Sequence, residues 1–377
     1  MREQPSSSHF TAPIAGGLPR PSCPLTVRDG DLGGWHAFLA RTPGGSYQQT
    51  DWWAVAKMKE GFRARRLVIR NGDDILGGAQ MLYRSLPVRG AVAYVPLGPV
   101  LASADPEVAS LAMAHLHRIA REQNVYYLAV QVPRGGGAFS RELLNFGFFP
   151  ALLDLAPTAS VVIDLSNSLD VLLSRMHKTT RYDIRASQRK GITVREGGLK
   201  DIDAVHRLLL ATAERRGFLG LKNDYLREVW RQFSGGGYTK IFIAEFQERP
   251  ISAALMMSFG DTVTYWKAGW SGECSSLYPN EALQWTAIQW AKSNGYRYYD
   301  LGGIPRALAK SALADDSVRK PGAHSVAFYK LGFGGQIELF PEALMYIYNR
   351  PLRRVWSMIS KRGPAQTLLP NILRRIC

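Results

Sequence analysis

The chain has 377 residues and a formal net charge of +16, from 47 Lys and Arg against 31 Asp and Glu. Its length suits two domains, and a hydrophobic fraction of 46% is ordinary for a folded globular protein. No apolar run is long enough for a membrane span or a secretory signal, and the three Cys are scattered, so we expect a cytoplasmic protein without a disulfide framework or metal site. The charge favours polyanionic partners such as nucleic acid, an anionic membrane face or phosphorylated substrates.

The first half of the chain predicts a unit that mixes helices and strands. Residues 1–23 are rich in Ser and Pro and are expected to form a disordered arm. A helix is predicted over 48–57, with Thr50 or Asp51 as its cap. Hydrophobic patterning then predicts three strands, an amphipathic helix and a buried strand, at 64–70, 75–84, 91–97, 106–123 and 126–132. A turn containing Gly147 and Phe148 follows.

The second half repeats this order. A strand near 161–165 and helical stretches at 169–190 and 202–216 come first. The repeated strands, helix and strand are then predicted at 239–246, 250–259, 262–269, 280–293 and 296–301. The polar segment 306–324 is interpreted as a mobile loop, a Gly-Phe turn follows it, and a last helix is predicted over 351–361. Two copies of an α+β unit usually meet at a cleft, where ligands bind.

The strongest local pattern is a row of four cations, Lys178, Arg181, Arg185 and Arg189. Their spacing of three, four and four residues places them on one face of a helix. Like charges at this spacing repel one another, so the row favours an anionic ligand such as phosphate. The alternative is a solvated charged face that pairs partly with Asp183.

Two further positions carry candidate chemistry. Lys330 is a single cation in an apolar, Gly-rich segment, where a lysine can stabilise an oxyanion; the alternative is an exposed lysine on a strand. Asp300 ends a strand just before two glycines and is either a general base or a residue that ties the following turn.

Other motifs are weak. His115 and His117 do not share a helix face, and residues 134–137 lack the Lys-Ser/Thr pair of a phosphate-binding P-loop.

Four segments together resemble the Fem family (FemABX) of aminoacyl-tRNA-dependent peptidyltransferases. The segments are Lys178 to Gly191, Thr212 to Phe218, Tyr298 to Ile304 and Phe328 to Gly335, and the resemblance covers roughly residues 45–350. It implies an α+β (α/β) fold of two tandem acetyltransferase-like (GNAT-like) domains with a cleft between them. The implied domains are 24–164 plus 337–377, and 165–336. The interval between Arg189 and Tyr238 is too short for the helical arm of some members, so the compact FemX-like type is expected.

The resemblance also implies an activity and its partners. Family members transfer an amino acid from aminoacyl-tRNA to a free amine on the stem peptide of a peptidoglycan precursor, which forms interpeptide bridges. The acceptor is UDP-MurNAc-pentapeptide or a lipid-linked muropeptide, and the reaction requires no cofactor and no metal. Both substrates are polyanions, which agrees with the net charge. The basic segment 350–377 is a candidate for peripheral contact with the membrane surface, or is a solvated tail.

Site residues follow from the resemblance position by position. Lys330 matches the catalytic lysine beside the donor ester, and Tyr329 is the aromatic residue next to it. Matched acceptor-binding positions, with Lys222 offered in place of an expected arginine and Asp300 added as a strand-end candidate, are Lys57, Tyr127, Lys222, Tyr225, Lys267 and Asp300. The row Lys178, Arg181, Arg185 and Arg189 is assigned to tRNA.

The sequence departs from the family pattern at three positions. Leu221 stands where the arginine is expected, Lys267 replaces a tyrosine, and Val132 replaces a proposed acidic residue. A peptide antibiotic as acceptor therefore remains an alternative. An acyl-CoA N-acyltransferase is a second alternative, although residues 329–334 only partly resemble its pyrophosphate loop. A basic RNA-binding or membrane-binding protein without catalysis is the third.

Overall fold

The structure is a computed structural model that describes residues 25–30, 33–87, 90–151, 154–314 and 326–359. The predicted arm at 1–23, the loop residues 315–324 and the tail from residue 360 lie outside this part of the chain. The described strands are β1 Thr26–Asp29, β2 Arg63–Asn71, β3 Asp74–Ser85, β4 Ala91–Pro96, β5 Val100–Leu101, β6 Val125–Gln131, β7 Phe149–Pro150, β8 Ala159–Asp164, β9 Ile192–Gly197, β10 Thr239–Phe246, β11 Arg249–Phe259, β12 Thr262–Trp270, β13 Tyr298–Gly303, β14 Gln336–Leu339 and β15 Leu344–Ile347. The described helices are α1 Trp35–Arg41, α2 Asp51–Met58, α3 Pro106–Glu122, α4 Gly137–Asn145, α5 Leu169–Arg175, α6 Lys178–Arg189, α7 Ile202–Arg216, α8 Asn223–Ser234, α9 Pro279–Ser293, α10 Arg306–Ala314, α11 Val326–Leu331 and α12 Arg350–Ile359.

The strands form two mixed sheets, which confirms the predicted α+β class. The first sheet has the order β1-β2-β3-β4-β6-β15-β7, with the short β5 paired to β3. The second sheet has the order β14-β8-β13-β12-β11-β10-β9. Among the described strands, each sheet contains one parallel pair, β4 with β6 and β12 with β13, and the other pairs are antiparallel. The repeat seen in the sequence therefore corresponds to a repeat in topology.

Helix boundaries follow local capping chemistry. The backbone N–H of Trp53 donates to the Thr50 hydroxyl oxygen over 3.2 Å, so Thr50 caps α2 as the sequence predicts. Asp105 caps α3 by accepting from the N–H of Glu107, and Pro106 occupies the first helical position. Among the described helices, none combines the length and the apolar character that a bilayer span requires.

A shared hydrophobic core joins the two sheets. The inner face of the first sheet packs on α1 and α2, and the inner face of the second sheet packs on α7 and α8. Aromatic rings meet across this junction: Trp52 lies 5.7 Å from Phe233 and 4.7 Å from Tyr238, and Trp53 lies 5.9 Å from Trp266, between ring centroids. Separate cores lie under α3 on the first sheet and around α9 on the second. The boundary between the halves is thus a packed layer.

Several sequence-based expectations need correction. The stretch 169–190 is two helices, because Met176 and His177 adopt extended backbone and His177 caps α6, which begins at Lys178. Residues 306–314, predicted as a loop, form α10, whose Ala309 and Ala312 are buried. The exposed-strand alternative for Lys330 is wrong, because this residue lies on α11 and is 8% exposed.

The domain boundaries also need adjustment. Strand β8 hydrogen-bonds to β13 and to β14, so residues 159–164 and 337–339 belong to the second sheet although the prediction assigns them to the first domain. Strand β15 pairs with β6 in the first sheet. We therefore propose that the chain crosses to the second domain before residue 159 and returns after Leu339.

Candidate active site

The parallel strands β12 and β13 separate at their carboxyl ends. They are paired from Thr262 to Thr264, opposite Tyr298 to Asp300, and are not paired beyond this point. Strand β12 carries a bulge at Trp266, and the pairing of β13 with β8 is irregular between Asp300 and Gly303. The two strands therefore leave an open wedge between them. Carboxyl ends of neighbouring parallel strands are where α/β sheets bind ligands.

Lys330 reaches the wedge from α11. Its Nζ donates a hydrogen bond to the backbone carbonyl of Gly303 over 2.8 Å. Burial lowers the pKa of Lys330 to about 8, although the charge of Asp300 opposes this shift. Gly302 has φ of +78°, and a Cβ at this position would lie 3.3 Å from the lysine Nζ. The glycine is therefore needed both for its backbone conformation and to admit the lysine.

The Asp300 carboxylate is hydrogen-bonded within the turn that follows it. Its Oδ1 accepts hydrogen bonds from the backbone N–H of Gly302, over 2.7 Å, and from the hydroxyl of Ser160. Burial raises the pKa of Asp300, while these two hydrogen bonds and the nearby Lys330 oppose the rise. The geometry supports the turn-tying interpretation, and the carboxylate is close enough to Lys330 for their charges to interact. Its predicted contact with substrate stays a prediction.

Tyr329 contacts the start of α9 on the other side of the wedge. Its hydroxyl donates to the backbone carbonyl of Asn280 over 3.0 Å. The next residue, Glu281, is half-buried and forms no ion pair within the described part of the chain. Burial raises the pKa of Glu281 to about 7, and the charge of Asp183 adds to the rise. This carboxyl group is half-ionised near neutral pH and can accept a proton there.

Sequence reasoning missed Glu281 because nothing in its motif distinguishes it from an ordinary acidic residue in the first turn of a helix. Its properties come from neighbours distant in sequence. Its charge helps to raise the pKa values of Tyr265 on β12 and Tyr329 on α11, which burial raises first. The Tyr299 hydroxyl donates to the side chain of Gln284, one turn further along α9, over 2.5 Å. A polar group lined by tyrosines therefore lies between α9, β12 and α11.

A second group of predicted residues meets in the layer between the two sheets. The Lys57 Nζ on α2 forms an ion pair with Glu60 at 2.5 Å and lies 5.2 Å from the ring centroid of Tyr225 on α8. Burial lowers the pKa of Lys267 on β12, and the charge of Lys57 lowers it further, whereas Glu60 opposes the shift. The structure therefore brings Lys57, Tyr225 and Lys267 together, from both halves of the chain. We call these three residues and Glu60 the two-lysine cluster.

The remaining predicted acceptor residues lie near this cluster. Tyr127 is half-buried on β6 and packs in a small apolar group with Tyr94, whose ring lies 5.3 Å from that of Phe62 at the edge of the cluster. Lys222 is exposed immediately before α8. Leu221, at the position expected to be arginine, packs against the shared core. Lys222 is therefore related to Tyr225 only by its position at the start of α8, and its role stays a prediction.

The four cations of the predicted basic row all lie on α6, and three of them are exposed. Lys178, Arg185 and Arg189 are exposed, whereas Arg181 is half-buried and donates to the backbone carbonyls of Ser174 and Met176 at the end of α5. Arg181 is therefore engaged in joining two helices. The backbone N–H of His177 donates to the carbonyl of Gly332 over 2.8 Å. The start of α6 thus abuts the end of α11, so the row begins close to Lys330.

Two family models match different parts of the chain. Residues 34–133 match the FemAB family, and residues 174–310 match an acetyltransferase (GNAT) domain. A curated relative is the lipid II:glycine glycyltransferase of Staphylococcus aureus (strain MRSA252). It is 21% identical over 404 aligned positions, which cover 86% of this chain and 94% of the relative.

Solved structures support the same fold. The crystal structure of FemX matches with a TM-score of 0.74 at 19% identity, over 87% of this chain and 99% of that one. A tandem GNAT protein from the clavulanic acid biosynthesis pathway matches with a TM-score of 0.52 at 13% identity, over 86% of this chain and 99% of that one. These matches confirm the predicted fold of tandem GNAT-like domains.

Proposed function

Because the chain is a member of the Fem family, we propose that it is an acyltransferase that moves an amino acid from aminoacyl-tRNA to an amine of a peptidoglycan precursor. The observation that carries the proposal is the buried Lys330 in the open wedge of the second sheet. A lysine with a lowered pKa, held by one backbone carbonyl, is suited to stabilise charge that develops on an ester oxygen.

The reaction is aminolysis of an ester. The acceptor amine attacks the carbonyl carbon, a C–N bond forms, the ester C–O bond breaks, and the ribose hydroxyl leaves with a proton. Lys330, mostly protonated at neutral pH, stabilises the oxyanion of the tetrahedral intermediate. Glu281 accepts the proton that the amine loses, and the ribose oxygen takes up a proton as it leaves. Tyr329 precedes Lys330 in the sequence, and its hydroxyl donates to the carbonyl of Asn280, the residue before Glu281.

The two-lysine cluster is proposed to bind the phosphates of the acceptor. The charge of Lys57 disfavours the charged form of Lys267, and Glu60 is the counter-charge that opposes this effect and pairs with Lys57. An anion bound between them would relieve this repulsion. The relatives' name, lipid II:glycine glycyltransferase, supports a peptidoglycan precursor as acceptor and interpeptide bridge formation as the outcome. The cluster lies between the two halves, where a long acceptor can extend towards the wedge.

The exposed cations of α6 are proposed to bind the tRNA backbone. Lys178, Arg185 and Arg189 face solvent and form no ion pair among the described residues. Their row begins next to α11, so a nucleic acid lying along it presents its aminoacylated end near Lys330. Binding through phosphates releases counterions, so affinity for tRNA should fall steeply with salt.

The acyl-CoA alternative meets a structural difficulty at its proposed pyrophosphate loop. A helix binds phosphate through free N–H groups at its N-terminus. Gly332 and Gly334 instead follow the end of α11, and their N–H groups donate to the carbonyls of Phe328 and Leu331. This segment therefore ends a helix and leaves no cradle of free N–H groups at either glycine.

A transfer assay tests the proposal. A mixed pool of radiolabelled aminoacyl-tRNAs is incubated with UDP-MurNAc-pentapeptide or with the lipid-linked precursor, with and without RNase. Label that reaches a precursor only when tRNA is intact would establish the activity and the acceptor. Transfer from acyl-CoA with no transfer from aminoacyl-tRNA would reject the proposal. Retained tRNA binding without transfer to either precursor would instead favour a different peptide acceptor.

A further inference from the structure

The turn between α7 and α8 presents two apolar side chains to solvent. Leu219 is 84% exposed and Phe218 is 56% exposed, whereas most large apolar residues in the described part of the chain are buried in the three cores. We call residues 215–222 the Phe-Leu loop. Its sequence is Arg-Arg-Gly-Phe-Leu-Gly-Leu-Lys, so three cations surround the exposed pair. Neither the proposed transfer chemistry nor the shared core uses Phe218 or Leu219.

The loop is held in a fixed conformation. Gly217 ends α7 with φ of +68°, and the N–H of Phe218 donates back to the carbonyl of Ala213 over 3.1 Å. Arg215 donates to the carbonyl of Trp270, and its guanidinium lies 5.0 Å from the Trp270 ring centroid. Exposure of the apolar pair therefore follows from an ordered helix end tied to β12.

The chemistry of the loop suits a lipid surface better than a nucleic acid. A leucine side chain has no flat face on which a base can stack, whereas bases bind aromatic and guanidinium planes. Apolar side chains flanked by Arg and Lys are typical of segments that insert into the boundary between headgroups and acyl chains. Arg216 and Lys222 are exposed and can meet anionic headgroups at the same time.

The position of the loop relates it to the acceptor site. Lys222 ends the loop, and Tyr225 of the two-lysine cluster lies three residues later, in the first turn of α8. The basic segment that the sequence suggested for membrane contact is placed differently in its described part. Arg353 donates to the carbonyl of Ile347, and the Trp356 ring stacks on Phe149, so α12 packs on the first sheet.

We propose that the Phe-Leu loop docks the protein on the surface of an anionic lipid bilayer and thereby brings the two-lysine cluster to a lipid-linked acceptor. This inference rests on the proposed function for the identity of the acceptor. The docking itself does not depend on catalysis, so the two can be tested separately.

Binding of the full chain to sedimenting vesicles tests the docking. Phosphatidylcholine vesicles are compared with vesicles that also contain phosphatidylglycerol. The native protein should bind the anionic vesicles more tightly, and added salt should weaken this binding. The double variant Phe218→Ser/Leu219→Ser should bind them at least about tenfold more weakly, because each side chain loses its transfer from water to the lipid boundary. Equal binding by the native protein and the double variant would overturn the proposal, as would no binding by the native protein.

A matched control uses an exposed apolar residue elsewhere. Leu144 on α4 is 48% exposed, and Leu144→Ser should leave vesicle binding unchanged. An equal loss in this variant would show a nonspecific effect and would overturn the proposal. Thermal unfolding of each variant checks that the fold is intact. Weaker tRNA binding by the double variant, with unchanged vesicle binding, would assign the loop to nucleic acid instead.

Transfer activity separates this inference from the proposed function. The double variant should retain native transfer to soluble UDP-MurNAc-pentapeptide and lose transfer to the lipid-linked precursor in vesicles. Equal loss with both acceptors would contradict a docking role. Failure of the native protein to use either acceptor would remove the proposed function, while the vesicle measurements would still decide whether the loop binds lipid.

Discussion

Each sheet has one parallel pair of strands, but the pair is closed in the first sheet and open in the second. Strands β4 and β6 stay paired from Ala91 to Pro96, along the whole of β4. Strands β12 and β13 part after Thr264, and Lys330 and its neighbours line the opening. The same topology therefore yields two different strand ends, one sealed by protein and one left for a ligand.

Gln131 closes the strand end in the first sheet. This fully buried residue ends β6 and bonds to four backbone groups of two crossing segments. Its Nε2 donates to the carbonyls of Ala156 and Pro341, and its Oε1 accepts from the N–H groups of Leu155 and Ala156. The corresponding end of β13 has two glycines and a cation. A duplicated fold can thus keep one copy as scaffold and use the other for chemistry.

Replacing Lys330 at the open strand end should lower transfer activity more than any of the substitutions that follow. In the repeated Gly-Phe turns, Asn145 occupies the position equivalent to Lys330 and is exposed at the end of α4. Lys330→Ala should lower kcat by about 10²- to 10³-fold, as expected for loss of one oxyanion-stabilising donor. Asn145→Ala should not change it. Steady-state transfer assays measure both, and equal effects of the two substitutions would end the comparison between the halves.

Glu281→Gln should lower kcat by about 100-fold, because the reaction would lose its proposed general base. The native rate should rise with pH through about 7, as Glu281 loses its proton, and fall above about 8, as Lys330 loses its own. The variant should lose the rise near pH 7 and keep the fall. A pH–rate profile for each protein checks this, and an acidic limb retained in the variant would assign that limb to another group.

Gln131→Leu tests the sealed strand end, because it should lower the stability of the protein without lowering its activity. The substitution leaves the four backbone groups without their partner, so we expect a loss of about 2–4 kcal/mol in the free energy of unfolding. Activity per folded molecule should stay near the native value, because this strand end holds no proposed catalytic group. Denaturant unfolding and an active-fraction assay measure the two quantities. A specific loss of turnover without a loss of stability would contradict the scaffold role.

The smallest changes in stability and kcat are expected when a single methyl group is added at a glycine. Gly302→Ala and Gly147→Ala both introduce a side chain at positive φ, at +78° and +81°, so both should lose about 1 kcal/mol of stability. The added methyl group would lie 3.1 Å from the Tyr265 backbone carbonyl oxygen and 3.3 Å from the Lys330 Nζ in the first case, and 3.5 Å from a Tyr346 ring carbon in the second. Only Gly302→Ala should therefore lower kcat, by about tenfold if the lysine is displaced. Parallel unfolding and kinetic measurements distinguish strain from displacement.

The regular strands could be predicted from the sequence because their pattern is local. Predicted strands at 239–246, 250–259 and 262–269 match β10, β11 and β12 within one residue. The prediction of 306–324 as a polar loop missed α10, since its buried residues, Ala309 and Ala312, carry little hydrophobic signal. The pairing of β8 and β14 with each other also escaped prediction, because pairing between distant strands depends on the three-dimensional path of the chain.

The site was predictable only in part. Lys330 stood out as a single cation in an apolar, Gly-rich segment and the family resemblance supplied its role, whereas its burial and contact with Gly303 needed the structure. The family resemblance assigned Lys57, Tyr225 and Lys267 to one acceptor site, but no local pattern shows their convergence, since they lie on three elements drawn from both halves. Glu281 had no sequence signal, because its raised pKa arises from burial and from Asp183 on another helix.

The core shared by the two sheets has a consequence for modularity. Trp53 belongs to the first half and packs on Tyr225 and Trp266 of the second, at 6.3 and 5.9 Å between ring centroids. Either half made alone would expose this aromatic layer to water and would lose part of the two-lysine cluster. The duplicated units are therefore no longer interchangeable parts. A chimera that exchanges one half must also carry over the partner faces of α2 and α8.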